Sequence, residues 1–188
     1  MTNVFQGAQV RLRAVEVADW EVHYDWNFDS DNGRFTDEVW FPSSREQVRA
    51  WAEREAQSEG QGDAFCFQIE RLDGTLVGTI NTHGCNPRCG TFRYGLAIRP
   101  EHRRQGYASE AIRLVLRYYF DERRYQKVNA EVYSFNEPSM RLHERLGFTL
   151  EGRLRRVVYT QGQFFDALIY GMTREEFDSQ VWRPSDSR

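Results

Sequence analysis

The chain has 188 residues, 40% of them hydrophobic and 14% aromatic, which is ample for a packed core and excludes general disorder. Its 25 basic and 28 acidic side chains leave a formal charge of −3, so a nucleic-acid coat protein is disfavoured and only a local basic patch stays open. No apolar run approaches the roughly 20 residues that span a bilayer. The first residues lack a basic, apolar leader, and three cysteines do not describe a disulfide scaffold. The expected setting is therefore soluble, reducing and cytoplasmic. Lys127 is the only lysine, so every other basic side chain is arginine.

Val10 to Ala14 alternates apolar and basic residues and reads as a first strand. Asp19 opens a helical stretch containing Trp20, Val22, His23 and Trp26, and Asp29 to Gly33 reads as a turn. Ser43-Ser44-Arg45-Glu46 fits a capping box before a polar helix that ends near Gly60. The period then changes to two. Phe65, Phe67 and Ile69 alternate with polar partners, Asp73-Gly74 marks a hairpin turn, and Leu76 to Thr82 returns. Thr91 to Ile98 is a further strand, and from Ala108 the residues Ala111, Ile112, Val115 and Tyr119 share a helical face. Val128, Ala130 and Val132 mark a strand, a helix of about ten residues follows Asn136, and two last strands meet at Thr160 to Gln163. The strand–helix–strand unit from 91 to 133 is a crossover, so its two strands should be parallel. A mixed α/β single domain over residues 1–188 is expected, with 181–188 as a flexible tail.

The stretch from Leu96 to Ser109 carries the chemistry. A strand ends, a polar loop with Arg103 and Arg104 follows, and a helix starts at Gly106-Tyr107-Ala108. The first turn of a helix has unpaired N–H groups and the positive end of its dipole, and residues without bulk let a phosphate approach the backbone. The pattern predicts a pyrophosphate cradle; taken alone it also fits an arginine-rich surface loop. Neither a P-loop nor a Gly-x-Gly-x-x-Gly fingerprint is present.

A second stretch, Asn136-x-x-Ser139 followed by Leu146-Gly147-Phe148 and Glu151-Gly152, lies one strand later. Together the two motifs resemble the GCN5-related N-acetyltransferase (GNAT) superfamily, in its RimJ/RimL-like branch, over residues 76–172. The resemblance implies a central, mostly antiparallel, twisted sheet of about seven strands with a splayed parallel pair, flanked by helices. It implies acetyl-CoA as co-substrate. The backbone of Leu96, Ala97 and Ile98 would pair with the pantetheine arm. Arg103, Arg104, Gln105, Gly106, Tyr107, Ala108 and Ser109 would hold the pyrophosphate, and Asn136 and Ser139 would lie along the arm. The reaction implied is direct attack of a primary amine, of a protein N-terminus or a small molecule, on the thioester.

That reaction needs a base for the amine, donors for the oxyanion and an acid for the thiolate. For the oxyanion, the resemblance implies a backbone N–H near Leu96 or Ala97. His143 stands seven residues after Asn136, where many family members have tyrosine, and an imidazolium there could protonate the thiolate. Glu131 and Tyr133 share a strand face beside the expected cleft and are candidates for proton transfer. His83, Asp37 and Glu38 could border the acceptor entrance, and Trp26 or Trp40 could wall it. His83, Cys85 and Cys89 lack the spacing and the fourth ligand of a zinc site, so no metal is expected. Cys66 reads as a core residue. The expected partners are acetyl-CoA and an amine acceptor, with a homodimer left open and no membrane or nucleic acid. The competing reading is a catalytically silent CoA-binding sensor or scaffold of the same fold.

Overall fold

Strand patterning gives the sheet two unlike faces. In this computed structural model, which describes residues 3–180 apart from positions 37 and 61, the strands are β1 (Val10–Arg13), β2 (Cys66–Arg71), β3 (Leu76–Asn86), β4 (Thr91–Ile98), β5 (Lys127–Tyr133), β6 (Thr149–Thr160) and β7 (Gln163–Thr173). They form one seven-stranded sheet in the order β1-β2-β3-β4-β5-β7-β6. Asp37 and the tail at 181–188 lie outside the described residues.

On one face, Ile69, Ile80, Phe92, Val128 and Val132 pack in a single apolar cluster. The helix α4 (Tyr107–Arg117) and the π turn that follows it cover this face with Ala111, Ile112, Val115 and Tyr119. Phe92 and Tyr119 stack with ring centroids 4.1 Å apart. The alternate positions put Gln68, Thr79, Asn81, Arg93 and Glu131 on the opposite face. The helices α1 (Trp20–Trp26), α2 (Ser30–Thr36) and α3 (Arg45–Ala56) precede β2 in the chain.

Every neighbouring pair is antiparallel except β4 and β5. Those two pair in parallel only through Thr91 with Lys127, Phe92 with Val128 and Arg93 with Asn129. Beyond that point β4 runs on to Ile98 and β5 to Tyr133 without joining, which leaves a wedge and an unpaired β4 edge. Helix α5 (Glu137–Arg145) follows β5 at the wedge. Gln161 and Gly162, both at positive φ, turn β6 into β7 at the expected place.

Local differences from the expectation have identifiable causes. The segment read as a turn at 29–33 starts α2 instead: the Asp29 carboxylate accepts from the N–H groups of Asp31 and Asn32 at 3.1 and 3.0 Å. A polar cluster that looks like a turn thus caps a helix. The box at Ser44 closes through Gln47 and not Glu46, with the Ser44 hydroxyl accepting from the Gln47 N–H and the Gln47 amide oxygen accepting from the Ser44 N–H. A short helix α6 (Arg174–Ser179), capped by Thr173, ends the described chain.

Candidate active site

The wedge between β4 and β5 opens onto a cavity of about 400 Å³. All the residues expected to hold the cofactor line it: Leu96, Ala97 and Ile98 from the β4 edge, Arg103 to Ser109 from the loop and first turn of α4, and Asn136 and Ser139 from α5. The loop is shaped by two left-handed positions, Arg104 at φ 62° and Gly106 at φ 90°. Gly106 is the N-cap of α4, and no side chain caps that helix. Its first-turn N–H groups are therefore left for a ligand. Arg103 is committed to the loop: its Nε donates to the Ile98 carbonyl at 3.1 Å, and its guanidinium lies 5.9 Å from the Phe35 ring centroid. Tyr107 is buried and its hydroxyl donates to the Gln105 amide oxygen at 2.9 Å, so it contributes backbone to the cavity and its ring to the core.

Asn136 has a structural duty as well. Its amide oxygen accepts from the Ser139 N–H at 3.2 Å and caps α5. Residues missed by sequence reasoning complete the wall. Arg145 lies on the α5 face that carries Ser139 and Leu142, at the i, i+3, i+6 spacing, a signal present in the sequence. Asn32, Phe35 and Thr36 of α2 close the opposite side, and nothing local pointed to them.

A second pocket of about 550 Å³ continues across Leu96 and Ala97 onto the polar face of the sheet. Glu131 and Tyr133 line it, as do His83, Asn81 and Trp26. The Asn81 amide oxygen accepts from the Gly95 N–H at 3.0 Å. A Cβ on Gly95 would sit 2.8 Å from that oxygen, so glycine is required for the contact. Trp26 is 8% exposed and its indole N–H has no partner among the described residues, which offers a donor at the pocket wall. Burial, with Arg93 beside it, pulls the His83 imidazole below its ordinary pKa against an opposing pull from Glu131. Trp40, 68% exposed, and Glu38 do not line these pockets.

His143 departs from its expected role. It is 5% exposed and lines neither pocket. One ring nitrogen, Nδ1, is 2.8 Å from the Ser139 carbonyl oxygen, which can only accept, so Nδ1 carries the proton. Nε2 then accepts from the Tyr94 hydroxyl at 2.7 Å. Phe148 and Tyr170 flank the ring. Burial lowers its pKa, so a neutral imidazole is favoured over the imidazolium that proton donation to a thiolate requires. His143 ties α5 to β4. Ser139, whose side chain is one turn away, lines the cavity in its place.

The described residues contain no group of three or more His, Cys, Asp or Glu that could hold a metal. Cys85 Sγ donates to the Asp63 carbonyl at 3.5 Å, and Cys89 is exposed. No helix among the described residues is long and apolar enough to cross a membrane.

An uncapped helix start and an unpaired strand edge thus share one cavity, with a polar pocket beyond it. The family profile for the acetyltransferase (GNAT) domain matches residues 9–149. The chain belongs to the GNAT family and is an acetyltransferase. It is 42% identical over 172 residues to the SPbeta prophage-derived uncharacterized N-acetyltransferase YokL of Bacillus subtilis, covering 92% of this chain and 94% of that one. It is 25% identical over 159 residues to the spermidine N(1)-acetyltransferase of Vibrio cholerae, covering 85% and 90%. A GNAT-family acetyltransferase structure from Bacillus anthracis superposes with a TM-score of 0.77 at 24% identity, over 91% of this chain and 98% of that one.

Proposed function

We propose that the protein transfers the acetyl group of acetyl-CoA to a primary amine by direct attack. The observation that carries this reading is the shared cavity of two backbone features, the uncapped start of α4 and the unpaired edge of β4. The first suits a diphosphate, because free N–H groups and the helix dipole both favour negative charge. The second suits the amides of a pantetheine arm, which can add to the edge as a strand would. Arg104 and Arg145 supply positive charge on either side, and Asn136 and Ser139 face the arm from α5.

In this reading the thioester lies beside Ala97, where the two pockets meet. A backbone N–H at Leu96 or Ala97 stabilises the oxygen that gains charge. Glu131 and the neutral His83 take the amine's proton from the far side of that junction, with Tyr133 on the same wall. The Ser139 hydroxyl, directly or through water, serves the departing sulfur. A relative named spermidine N(1)-acetyltransferase makes polyamines part of the acceptor panel. The branch resemblance adds peptide N-termini to it.

The test is thiol release from acetyl-CoA over a panel of alkyl amines, polyamines, amino sugars and N-terminal peptides. Turnover with at least one class, lost in Glu131→Gln with His83→Ala, is expected. Tight CoA binding with no turnover on any amine would favour the silent sensor instead.

A further inference from the structure

Three residues of the acceptor pocket, His23, Thr79 and Asn81, also line a separate cavity of about 510 Å³ on the same sheet face. This second cavity lies between α3 and strands β2 and β3, and Trp51, Glu55, Phe65 and Cys66 complete its walls. His23 is the partition. Its Nε2 contacts the Gln68 amide oxygen at 3.2 Å, its ring meets Trp51 edge-on at 4.6 Å, and burial keeps the imidazole below its ordinary pKa. The partition is therefore uncharged near neutral pH and does not repel a cation.

The charge of the cavity is one-sided. No lysine or arginine lines it, in a chain whose 25 basic residues are spread elsewhere, while the acceptor pocket carries Arg93. The half-buried Glu55 carboxylate has no ion pair or hydrogen bond to a side chain among the described residues, although its neighbour on α3, Glu53, is paired with Arg49. An unpaired carboxylate on a wall shared with an indole and without a neighbouring basic side chain is a site for an ammonium group, through charge first.

Resting on the transferase reading above, we infer that the acceptor site runs past His23 into this cavity, where Glu55 and Trp51 hold the distal cation of an elongated, doubly cationic amine. The sheet gives the length. Ala97 on β4 lies opposite Thr79 on β3, and β2 is the next strand, with Gln68 opposite Thr79 and Cys66 opposite Asn81. Two strand spacings, about 10 Å, separate Ala97 from the β2 wall of this cavity, above which α3 carries Glu55.

The test uses linear diamines, from propane to decane, beside monoamines of matched length. With the wild-type protein, kcat/KM for the longer diamines should exceed that of the matched monoamine by about tenfold, the yield of one well-placed charged contact. Glu55→Gln should bring the ratio to about one, and Glu53→Gln, at a residue that pairs with Arg49 and does not line the cavity, should leave it unchanged. Equal kcat/KM for diamine and monoamine, or a ratio unmoved by Glu55→Gln, overturns this inference and leaves acetyl transfer standing. If no amine turns over at all, the transferase reading fails, and calorimetry of decane diamine on the CoA-bound protein decides the site. A tenfold loss of affinity in Glu55→Gln supports it; equal affinity overturns it.

Discussion

Two of the helices that line the proposed cofactor cavity, α4 and α5, begin in opposite ways. Helix α5 satisfies its own start, because Asn136 caps the Ser139 N–H and Pro138 removes one donor from the first turn. Helix α4 starts at a left-handed Gly106 with no side-chain cap. Both are anchored from behind. The Glu110 carboxylate of α4 accepts from the N–H groups of Ala8, Gln9 and Val10 at 2.6, 2.9 and 2.9 Å, and His143 of α5 holds the Tyr94 hydroxyl. A self-satisfied start positions a wall, while an unsatisfied start held in place leaves its N–H groups open to a ligand.

The comparison breaks most visibly at Gly106. Gly106→Glu should weaken CoA binding at least a hundredfold by calorimetry, since it puts a carboxylate where phosphate should sit, about 3 kcal/mol or more. Gly106→Ala pays only for the left-handed backbone and a crowded Gln9, and should cost about 1–2 kcal/mol of stability. If the two variants bind CoA equally, phosphate does not occupy the α4 start.

Removing the rear anchor of α4 comes next. Glu110→Ala strands three backbone donors, one of them buried, and should cost about 3 kcal/mol in denaturant unfolding. A loss under 1 kcal/mol would contradict the anchoring role.

The corresponding change in α5 is smaller and has a pH signature. His143→Phe leaves a buried tyrosine hydroxyl unpaired and should cost about 2 kcal/mol. Burial holds the His143 pKa below 6.5, so the unfolded chain takes up a proton that the folded protein refuses. That contribution is complete above pH 6.5 and is lost on acidification toward the folded value. The variant should therefore lose less stability than the wild type between neutral pH and pH about 5. His23 has the same sign, so a residual slope stays. An unchanged slope in the variant would show that His143 titrates alike in the folded and unfolded chain, so that burial does not disfavour its charged form.

The smallest effect belongs to the self-capped start. Asn136→Ala should cost about 1 kcal/mol, the ordinary worth of a cap. Asn136→Asp keeps the acceptor oxygen and should restore the stability, so a melting comparison of the two isolates capping from any contact with the pantetheine arm.

How far the sequence reached differed sharply between the two pockets. The proposed cofactor cavity comes largely from contiguous stretches, Leu96 to Ser109 and Asn136 to Ser139, and strand-loop-helix patterning places their residues together. The acceptor pocket takes side chains from α1, α2, β3, β4 and β5. Period-two alternation assigns Glu131 and Tyr133 to one face, and Trp26 is among the candidates for the wall, but no local pattern points to Asn81. Asp29 reads as part of a turn in the sequence because the same side chain can close a turn or cap a helix, and only the continuation of the chain distinguishes them.

By itself, the sequence determined the alternation of apolar and polar strand positions, the crossover that makes β4 and β5 parallel, and the glycine start of α4. Each depends on neighbours within a few residues. Tertiary structure alone decided that β4 and β5 part after Arg93, that His143 turns to Tyr94, and that His23 divides one polar sheet face into two cavities. Those outcomes depend on which remote surfaces come into contact, and side-chain direction at such contacts is set by packing and hydrogen bonding across elements, which spacing along one chain does not encode.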